Sequence, residues 1–304
     1  MTVEQRELSA SDDHRIKVFD WHSAEGSKPQ AVIQILHGLG DHAPRYARFA
    51  EACNAEGISV VAHNHRGHGA AENFGHFADA NGWDKVIADV LQVRQDIAAR
   101  YPEVPVILLG HSMGSFIAQS FVMRHGGNNA ALILSGSTLA PRIDLRISNM
   151  AARFAAALTG KRRISALLNH MGIGRMNNRF KPARTDSDWI SRDETEVDRY
   201  IADPFCGGEF SNQLWYDLTG GMLEITSKAA IQSVRADLPI LILGGGSDPV
   251  GGQKGLQRLA EAYQNTGHNH VTLTIYPGGR HEMLNETNRD EVTRDIINWV
   301  KARL

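Results

Sequence analysis

The stretch PVILLGHSMGS, residues 105–115, decides the fold. An apolar, β-prone run leads into Gly-x-Ser-x-Gly, and a helical pattern follows at once over residues 113–125. This order predicts a strand, a sharp turn and a helix, with Ser112 at the apex of the turn. Glycines two residues to either side leave room for the turn, and the helix N-terminus points at whatever the serine attacks. The sequence therefore predicts that Ser112 is a nucleophile.

Short apolar runs alternate with helical patterns along most of the chain. The predicted strands are 15–21, 31–36, 58–63, 104–109, 130–135, 239–244 and 271–276. The predicted helices between them are 46–56, 83–101, 113–125, 253–264 and 289–304. Residues 107–109 and 241–243 are apolar on both faces, as in strands that lie between two helical layers. The sequence predicts a mostly parallel central sheet covered by helices on both faces.

The alternation stops between residues 138 and 237. This part of the chain has helical patterns at 147–158, 164–171, 194–202 and 213–234 and no strong strand signal. Because the strand pattern resumes afterwards, we predict an α/β core domain of residues 1–137 and 238–304. Residues 138–237 are predicted to form a helical cap inserted above the strand ends.

A serine hydroxyl needs a base to take its proton, and that base needs an orienting carboxylate. In this architecture both partners follow later strands, in the chain order Ser, Asp, His. Asp248 follows the strand predicted at 239–244, and His281 ends a glycine-rich loop after the strand predicted at 271–276. The rival residues precede their strands or lie in the insertion: Asp217, Asp237, His268 and His270. The predicted triad is Ser112, Asp248 and His281.

Backbone N–H groups are needed to stabilise the oxyanion that forms when a serine attacks a carbonyl carbon. One donor usually comes from the residue after the nucleophile, here Met113. The second is expected from a glycine-rich loop after an earlier strand, and His37-Gly38-Leu39-Gly40 follows the strand predicted at 31–36. We therefore predict Leu39 and Met113 as the two oxyanion-hole donors.

Composition excludes several classes of function. The chain has 304 residues and a net charge of -2, which gives no electrostatic footprint for nucleic acid. Two cysteines without a C-x-x-C spacing indicate neither a disulfide framework nor a cysteine metal site. His63, His65 and His68 cluster with Arg66, but their spacing matches no metal motif, so we expect a loop network under the active site and no metal. The charged N-terminus and the lack of a long apolar run predict a cytoplasmic protein.

The predicted cap is segregated by charge. Residues 142–184 contain ten Lys or Arg and one acidic residue, whereas residues 185–209 contain eight Asp or Glu and two Arg. The two halves could pair with each other across the cap. Alternatively, the basic half could form a surface that touches an anionic lipid interface, with these apolar residues: Ile147, Met150, Phe154, Leu158, Ile164, Leu167 and Leu168.

Four blocks of the sequence are similar to those of a known family. They are HGLGDH at 37–42 with RY at 45–46, RGHG at 66–69, GHSMG at 110–114, and YPGGRHE at 276–282 with LNE at 284–286. The chain thus resembles α/β-hydrolase serine hydrolases of the monoacylglycerol lipase and lysophospholipase-like branch, which is grouped with serine aminopeptidase-type hydrolases. The last block looks like that of bacterial members. Asp41 replaces the commoner glutamate, and Asn64 stands where an aspartate is usual.

The resemblance implies an α/β-hydrolase fold and hydrolysis of a carboxylic ester with one acyl chain, without a cofactor. Ser112 would attack the carbonyl carbon, and His281, oriented by Asp248, would transfer the protons. Two alternatives stay open. The first is an aminopeptidase that binds a substrate N-terminus through acidic cap residues, for which the candidates are Asp186, Asp188, Asp193, Glu194 and Glu196. The second is a non-catalytic small-molecule receptor on the same scaffold.

Overall fold

The fold is built around one central sheet, and the computed structural model describes residues 3–22 and 28–304. Eight strands lie in the order β1-β2-β4-β3-β5-β6-β7-β8. Their bounds are β1 Val3–Ser9, β2 Arg15–Trp21, β3 Ala31–Leu36, β4 Ile58–His63, β5 Val106–His111, β6 Ala131–Ser135, β7 Ile240–Gly245 and β8 Val271–Tyr276. Strands β3 to β8 pair in parallel, whereas β1–β2 and β2–β4 are antiparallel. The predicted, mostly parallel sheet is confirmed.

Ten α-helices accompany these strands in the described residues. They are α1 Ala47–Ala55, α2 Gly82–Arg100, α3 Met113–His125, α4 Arg142–Thr159, α5 Ala166–Asn169, α6 Glu194–Ala202, α7 Asn212–Ile225, α8 Lys228–Gln232, α9 Gly252–Gln264 and α10 Arg289–Lys301. Helices α1 and α10 cover one face of the sheet, and α2, α3 and α9 cover the other. Strands β3 to β7 are buried along their whole length because helices pack on both faces.

The chain between β6 and β7 is helical and contains α4 to α8. Helix α7 packs against α2 and α3 of the core, and α4 packs on α7. We describe residues 138–237 as the cap on this basis. None of the described helices combines the length and the apolar character needed to cross a membrane.

Three features of the fold differ from the sequence-based expectations. Strand β1 was not predicted, because its sequence VEQRELS is polar and forms a sheet edge. Strand β5 runs to His111, so the turn at Ser112 follows it directly. The helix predicted at 213–234 is two helices, α7 and α8, since the Ser227 side chain accepts from the Ala230 N–H and starts a new helix.

Candidate active site

Ser112 occupies a strained turn between β5 and α3. Its backbone has φ 52° and ψ -120°, a region that side chains other than glycine rarely adopt. The turn is held by two backbone hydrogen bonds, from the Ser112 N–H to the Ser135 carbonyl at 2.9 Å and from the Ser115 N–H to the Ser112 carbonyl at 2.8 Å. Strain of this kind persists only where the surrounding structure fixes it.

The two glycines of the turn are required by close packing. A Cβ atom at Gly110 would lie 2.3 Å from the Gly114 carbonyl oxygen, and one at Gly114 would lie 2.0 Å from the Leu36 carbonyl oxygen. Both distances are far below van der Waals contact. The Gly-x-Ser-x-Gly pattern thus reflects the approach of α3 to β3 and β5, which presents Ser112 at the carboxyl edge of the sheet.

His281 and Asp248 come together at the same edge. Asp248 follows β7 and His281 follows β8, and the His281 Nδ1 lies 2.9 Å from the Asp248 Oδ2. Both side chains are buried. Burial disfavours the charged imidazole, but the charge and hydrogen bond of Asp248 outweigh it, so the pKa of His281 is raised. Since the carboxylate accepts from Nδ1–H, Nε2 is left free to accept a proton.

One cavity of about 330 Å³ joins most of the predicted site residues. Ser112, His281, Leu39 and Met113 all line it, whereas Asp248 lies behind His281. The rival residues are elsewhere: His268 bonds to the carbonyls of Tyr263 and Val234, and Asp237 pairs with Arg235. Neither Asp217 nor His270 lines this cavity. The structure therefore places the predicted triad in one site and its rivals outside it.

The two predicted oxyanion donors face this cavity from different elements. Met113 is the first residue of α3, so its N–H has no partner within the helix. The N–H of Leu39 donates to no acceptor among residues 3–22 and 28–304. The Leu39 loop is held from behind, since the His65 N–H donates to His37 Nε2 at 2.9 Å and the opposite ring nitrogen bonds to the Gly38 carbonyl at 2.8 Å.

A charge cluster that the sequence analysis did not assign fixes this loop to the His281 loop. The Arg45 guanidinium donates to Asp41 Oδ1 at 2.9 Å and to both Glu282 oxygens at 2.8 and 2.6 Å. The Tyr46 hydroxyl donates to Asp41 Oδ2 at 2.9 Å. Burial alone would raise the pKa of Asp41, but the Arg45 charge holds it below its usual range. We call residues 37–41 the oxyanion loop, after the role predicted for Leu39. Asp41 lies in this loop and Glu282 directly follows His281, so Arg45 connects both halves of the site.

Asn64, which stands where the similar family usually has an aspartate, leaves the Arg45 cluster intact. Asn64 is not among the described hydrogen-bond partners of Arg45; its Oδ1 accepts the Ala43 N–H at 2.9 Å and supports the start of the short helical turn Ala43–Tyr46. An uncharged amide oxygen serves this purpose. The only signal in the sequence for the Arg45 cluster was the similarity of the RY and RHE blocks to the family pattern.

The cap contributes a residue that the sequence analysis missed. The Trp189 ring lies against the His281 ring, with 5.0 Å between centroids. The neighbouring backbone is tied to the same loop, because the Glu282 N–H donates to the Ile190 carbonyl at 2.8 Å. A lone tryptophan between helices gave no pattern from which this contact could be inferred.

The cavity wall is mainly apolar. Its apolar side chains include Phe116, Leu145, Leu168, Met171, Ile173, Met176, Trp189, Trp215, Leu218 and Met222. The lipid-surface alternative placed Leu168 on the outer cap surface, and that position is wrong, since Leu168 is buried and lines the cavity. The charged side chains at the wall, apart from the Arg45-bound Asp41 and Glu282, are Asp144 and Arg175.

The five acidic cap residues proposed for an aminopeptidase do not line this cavity. Asp193 caps the N-terminus of α6 and pairs with Arg289 at 2.6 Å. Glu196 pairs with Arg48 and Arg199, both at 2.8 Å. Three of the eight acidic residues of this half therefore pair with the core, since Asp203 also lies 2.9 Å from His42. In the described part of the chain, Arg184 of the basic half pairs with two others: Glu194 and Asp198.

Four buried histidine rings, tilted or edge-on to one another, form a cluster beneath the oxyanion loop. The ring centroids of His37 and His65 lie 4.3 Å apart, those of His63 and His65 4.7 Å, and those of His37 and His68 5.3 Å. Burial lowers the pKa of all four, and nearby imidazoles lower several of them further. Both ring nitrogens of His63 and His65 lack partners within the described chain. This histidine cluster is uncharged at neutral pH and supports the oxyanion loop from below.

Known proteins resemble this chain over nearly its whole length. A family model described as "Serine aminopeptidase, S33" matches residues 27–288. The monoglyceride lipase of Rattus norvegicus is 29% identical over 279 residues, covering 91% of this chain and 84% of that protein. The monoacylglycerol lipase of Mycolicibacterium smegmatis is 27% identical over 280 residues, covering 91% and 90%. A thermostable carboxyl esterase from Bacillus coagulans superposes with a TM-score of 0.91 and 27% identity, covering 99% of each chain. The predicted α/β-hydrolase fold is confirmed.

Proposed function

Because this chain belongs to the serine aminopeptidase S33 family and is a serine ester hydrolase, we propose that it hydrolyses monoacylglycerol-type esters with one acyl chain. The observation that carries this proposal is the apolar cavity onto which Ser112 and His281 face. At about 330 Å³ it falls at the lower end of the range typical of small-molecule sites. Such a cavity suits a flexible hydrocarbon chain, since burying each methylene contributes about 0.8 kcal/mol.

In the proposed mechanism Ser112 Oγ attacks the ester carbonyl carbon while His281 Nε2 takes its proton. The N–H groups of Leu39 and Met113 stabilise the oxyanion of the tetrahedral intermediate. When the intermediate collapses, the carbon–oxygen bond to the alcohol breaks and His281 returns the proton to the leaving oxygen. Water then attacks the acyl carbonyl carbon while His281 takes its proton. The bond to Ser112 Oγ breaks, His281 returns the proton to that oxygen, and the fatty acid is released. Asp248 stabilises the imidazolium at both steps.

The aminopeptidase alternative is less well supported. A substrate N-terminus needs a carboxylate beside the scissile bond, and the five acidic cap residues lie away from the cavity. Asp41 and Glu282 face it but are bound to Arg45. Asp144, on the first turn of α4, lines the cavity but is exposed, and Arg175 lines the same wall. The wall therefore favours an apolar acyl group over a charged amine.

We expect kcat/KM for p-nitrophenyl esters to rise with acyl chain length by up to about fourfold per methylene until the cavity is filled. A 1-monoacylglycerol should be hydrolysed far faster than an aminoacyl-nitroanilide. Met171→Trp is a matched variant, because the larger ring at this partly buried cavity position should remove the long-chain preference while sparing acetate ester turnover. A profile that peaks at the acetyl ester, or faster cleavage of the nitroanilide, would contradict the proposed substrate.

We further propose that the outer face of α4 touches an anionic lipid surface from which substrate enters. Five large apolar residues lie along this helix at intervals of three or four positions, and each is more than half exposed: Ile143, Ile147, Met150, Phe154 and Leu158. Arg146 and Arg153 on the same helix make no ion pair with a described residue. An apolar stripe beside free cations is typical of helices that lie in a membrane interface. On its other side α4 buries Leu145, which lines the cavity.

We expect the purified protein to co-sediment with vesicles of phosphatidylcholine and phosphatidylglycerol. Binding should fall several-fold without the anionic lipid or in high salt, since the arginine charges are then unpaired or screened. The triple variant Ile147→Ser, Phe154→Ser, Leu158→Ser should lose binding and keep its activity on a soluble short-chain ester. Ile201→Ser is the control, because it removes an equally exposed apolar side chain from α6. Equal co-sedimentation of the triple variant and the control would refute this contact.

A further inference from the structure

Three side chains with metal-binding atoms meet where the cap touches the oxyanion loop. One ligand atom each from His42, Asp203 and Cys206 lies within 4.8 Å of the other two. His42 follows the oxyanion loop directly, whereas Asp203 and Cys206 belong to the cap segment after α6. Among the residues that the structure describes, this is the only group of three or more histidine, cysteine or acidic side chains with such spacing. The cluster is separate from the Ser112 cavity, which none of the three lines.

The cap half of the cluster is preorganised by its own turn. The Phe205 N–H donates to Asp203 Oδ1 at 2.9 Å, which orients the carboxylate and leaves its other oxygen toward His42. The Cys206 N–H donates to the Asp203 carbonyl at 3.1 Å, so the turn brings the thiol to the same side. A carboxylate held by a second hydrogen bond is typical of protein metal ligands.

The core half is held in register with this turn. The Gly207 N–H donates to the Gly40 carbonyl at 2.8 Å, which joins the cap backbone to the oxyanion loop two residues before His42. The His42 ring packs edge-on against Phe205, with 6.2 Å between centroids. Its Nε2 lies 2.9 Å from Asp203 Oδ2. The donor atoms are therefore positioned from both sides, and little ordering would accompany the arrival of an ion.

We propose that His42, Asp203 and Cys206 bind a divalent transition-metal ion of the Zn²⁺ type, which fastens the cap to the oxyanion loop. Nitrogen, oxygen and sulfur donors together match Zn²⁺, whose tetrahedral sites place neighbouring ligand atoms about 3.3–3.8 Å apart. The imidazole and carboxylate move apart by about 0.5 Å to reach that separation, and water takes the fourth position. On binding, the thiol and the imidazole hydrogen-bonded to Asp203 present deprotonated atoms to the ion.

The surrounding charge favours a cation. Arg45 is the nearby positive group, and it is already bound to Asp41 and Glu282. These two carboxylates and Asp203 together carry more negative charge than Arg45 balances. The contact between the cap and the oxyanion loop is therefore net negative. Asp203 and Cys206 are partly exposed, so an ion can enter from solvent.

The test is a titration of chelator-treated protein with Co²⁺ followed by Zn²⁺. We expect one Co²⁺ per chain, with the near-ultraviolet absorption of a thiolate–cobalt bond, which Zn²⁺ then displaces. Saturating Zn²⁺ should also raise the melting temperature, since an ion that binds only the folded chain stabilises it. Cys206→Ser should abolish the thiolate band, and Asp203→Asn should weaken Co²⁺ binding roughly tenfold or more.

Cys53→Ser is the matched control, because it removes the other cysteine, which is free and buried in α1 away from this cluster. The control should keep the thiolate band and the Zn²⁺-dependent rise in melting temperature. Absence of the band in the wild-type protein at saturating Co²⁺, or its persistence in Cys206→Ser, would overturn the proposal. Should Cys206→Ser fail to fold, as judged by circular dichroism, Asp203→Asn decides by the same binding measurement.

Discussion

We expect the Ser112→Ala variant to lose ester hydrolysis by roughly 10⁴-fold or more, because no other group can form the acyl-enzyme. The same substitution should abolish covalent labelling by a fluorophosphonate. Folding should be unaffected, since the Ser112 backbone is fixed by hydrogen bonds from Ser112 to Ser135 and from Ser115 to Ser112, and neither involves the removed hydroxyl. Initial rates on a p-nitrophenyl ester, with the melting temperature measured alongside, check both parts.

Ser115→Ala is the matched control for this experiment. Ser115 lies one turn further along α3, and its buried hydroxyl bonds to the Ser112 carbonyl and to Ser137. Removing it takes away one hydroxyl of the same size without touching the proposed nucleophile, so its rate should fall by no more than about tenfold, the effect of one or two lost hydrogen bonds. Substantial turnover or labelling in folded Ser112→Ala protein would exclude Ser112 as the nucleophile.

We expect the free energy of unfolding to fall steeply between pH 6.5 and 5. Burial holds the pKa of His63 at about 3 and those of His68 and His111 at about 4, and it lowers those of His37 and His65 as well. In the unfolded chain these imidazoles titrate near pH 6.5. Below that pH the unfolded chain therefore binds protons that the folded chain does not bind. The stability from these neutral imidazoles is therefore full above pH 6.5 and is lost as the pH falls toward 4.

Each proton bound by the unfolded chain and not by the folded chain changes the free energy of unfolding by about 1.4 kcal/mol per pH unit. Two buried carboxyl groups act in the opposite direction, because burial raises the pKa of Asp89 and of Asp217 to about 6 and the folded chain protonates them first. The raised pKa of His281 has the same sign as these two. Burial also lowers the pKa values of His14 and His76. With seven such histidines against three groups of opposite sign, a net loss on the order of several kcal/mol remains, a large part of the stability of a typical domain.

Urea unfolding at several pH values between 7.5 and 5 measures this slope. His63→Leu should reduce this slope by about 1.4 kcal/mol per pH unit, the contribution of one proton. Both ring nitrogens of His63 are buried without partners in the described part of the chain, and leucine removes the titrating group. His170→Leu is the control, since His170 is exposed on the cap and its removal should leave the slope unchanged. A wild-type free energy of unfolding that stays constant from pH 6.5 to 5, or an identical slope in His63→Leu, would contradict the lowered pKa values of the histidine cluster.

The core of the fold could be predicted because its strands and helices carry local signals. Strands β5 to β7 each carry four consecutive apolar residues, and β3 is apolar except for Gln34. Helix α3 begins and ends at its predicted residues. Strand β1 could not be found, since an edge strand that packs little against the core has a polar sequence. The outward position of Leu168 was predicted wrongly because helical periodicity gives a face without saying whether protein or solvent covers it.

The candidate site divides in the same way. Ser112, Asp248 and His281 could be proposed because each follows a recognisable strand, and carboxyl ends of parallel strands meet at one edge. The contacts of Arg45 with Glu282 and of Trp189 with His281 join segments that are far apart in the chain. A single sequence does not indicate which distant residues will be in contact. The His42, Asp203 and Cys206 cluster was likewise invisible, since its members follow no metal-ligand spacing.

The placement of the cap between two paired strands has a consequence for folding and divergence. Strands β6 and β7 hydrogen-bond side by side although residues 136–239 intervene. The entropy of closing a loop grows only with the logarithm of its length, so doubling an insertion here costs about 0.6 kcal/mol. A longer or shorter cap is therefore tolerated at this position, provided that a helix such as α7 still packs on α2 and α3. Selection can change the wall of the cavity next to Ser112 while the strands that precede Ser112, Asp248 and His281 stay unchanged.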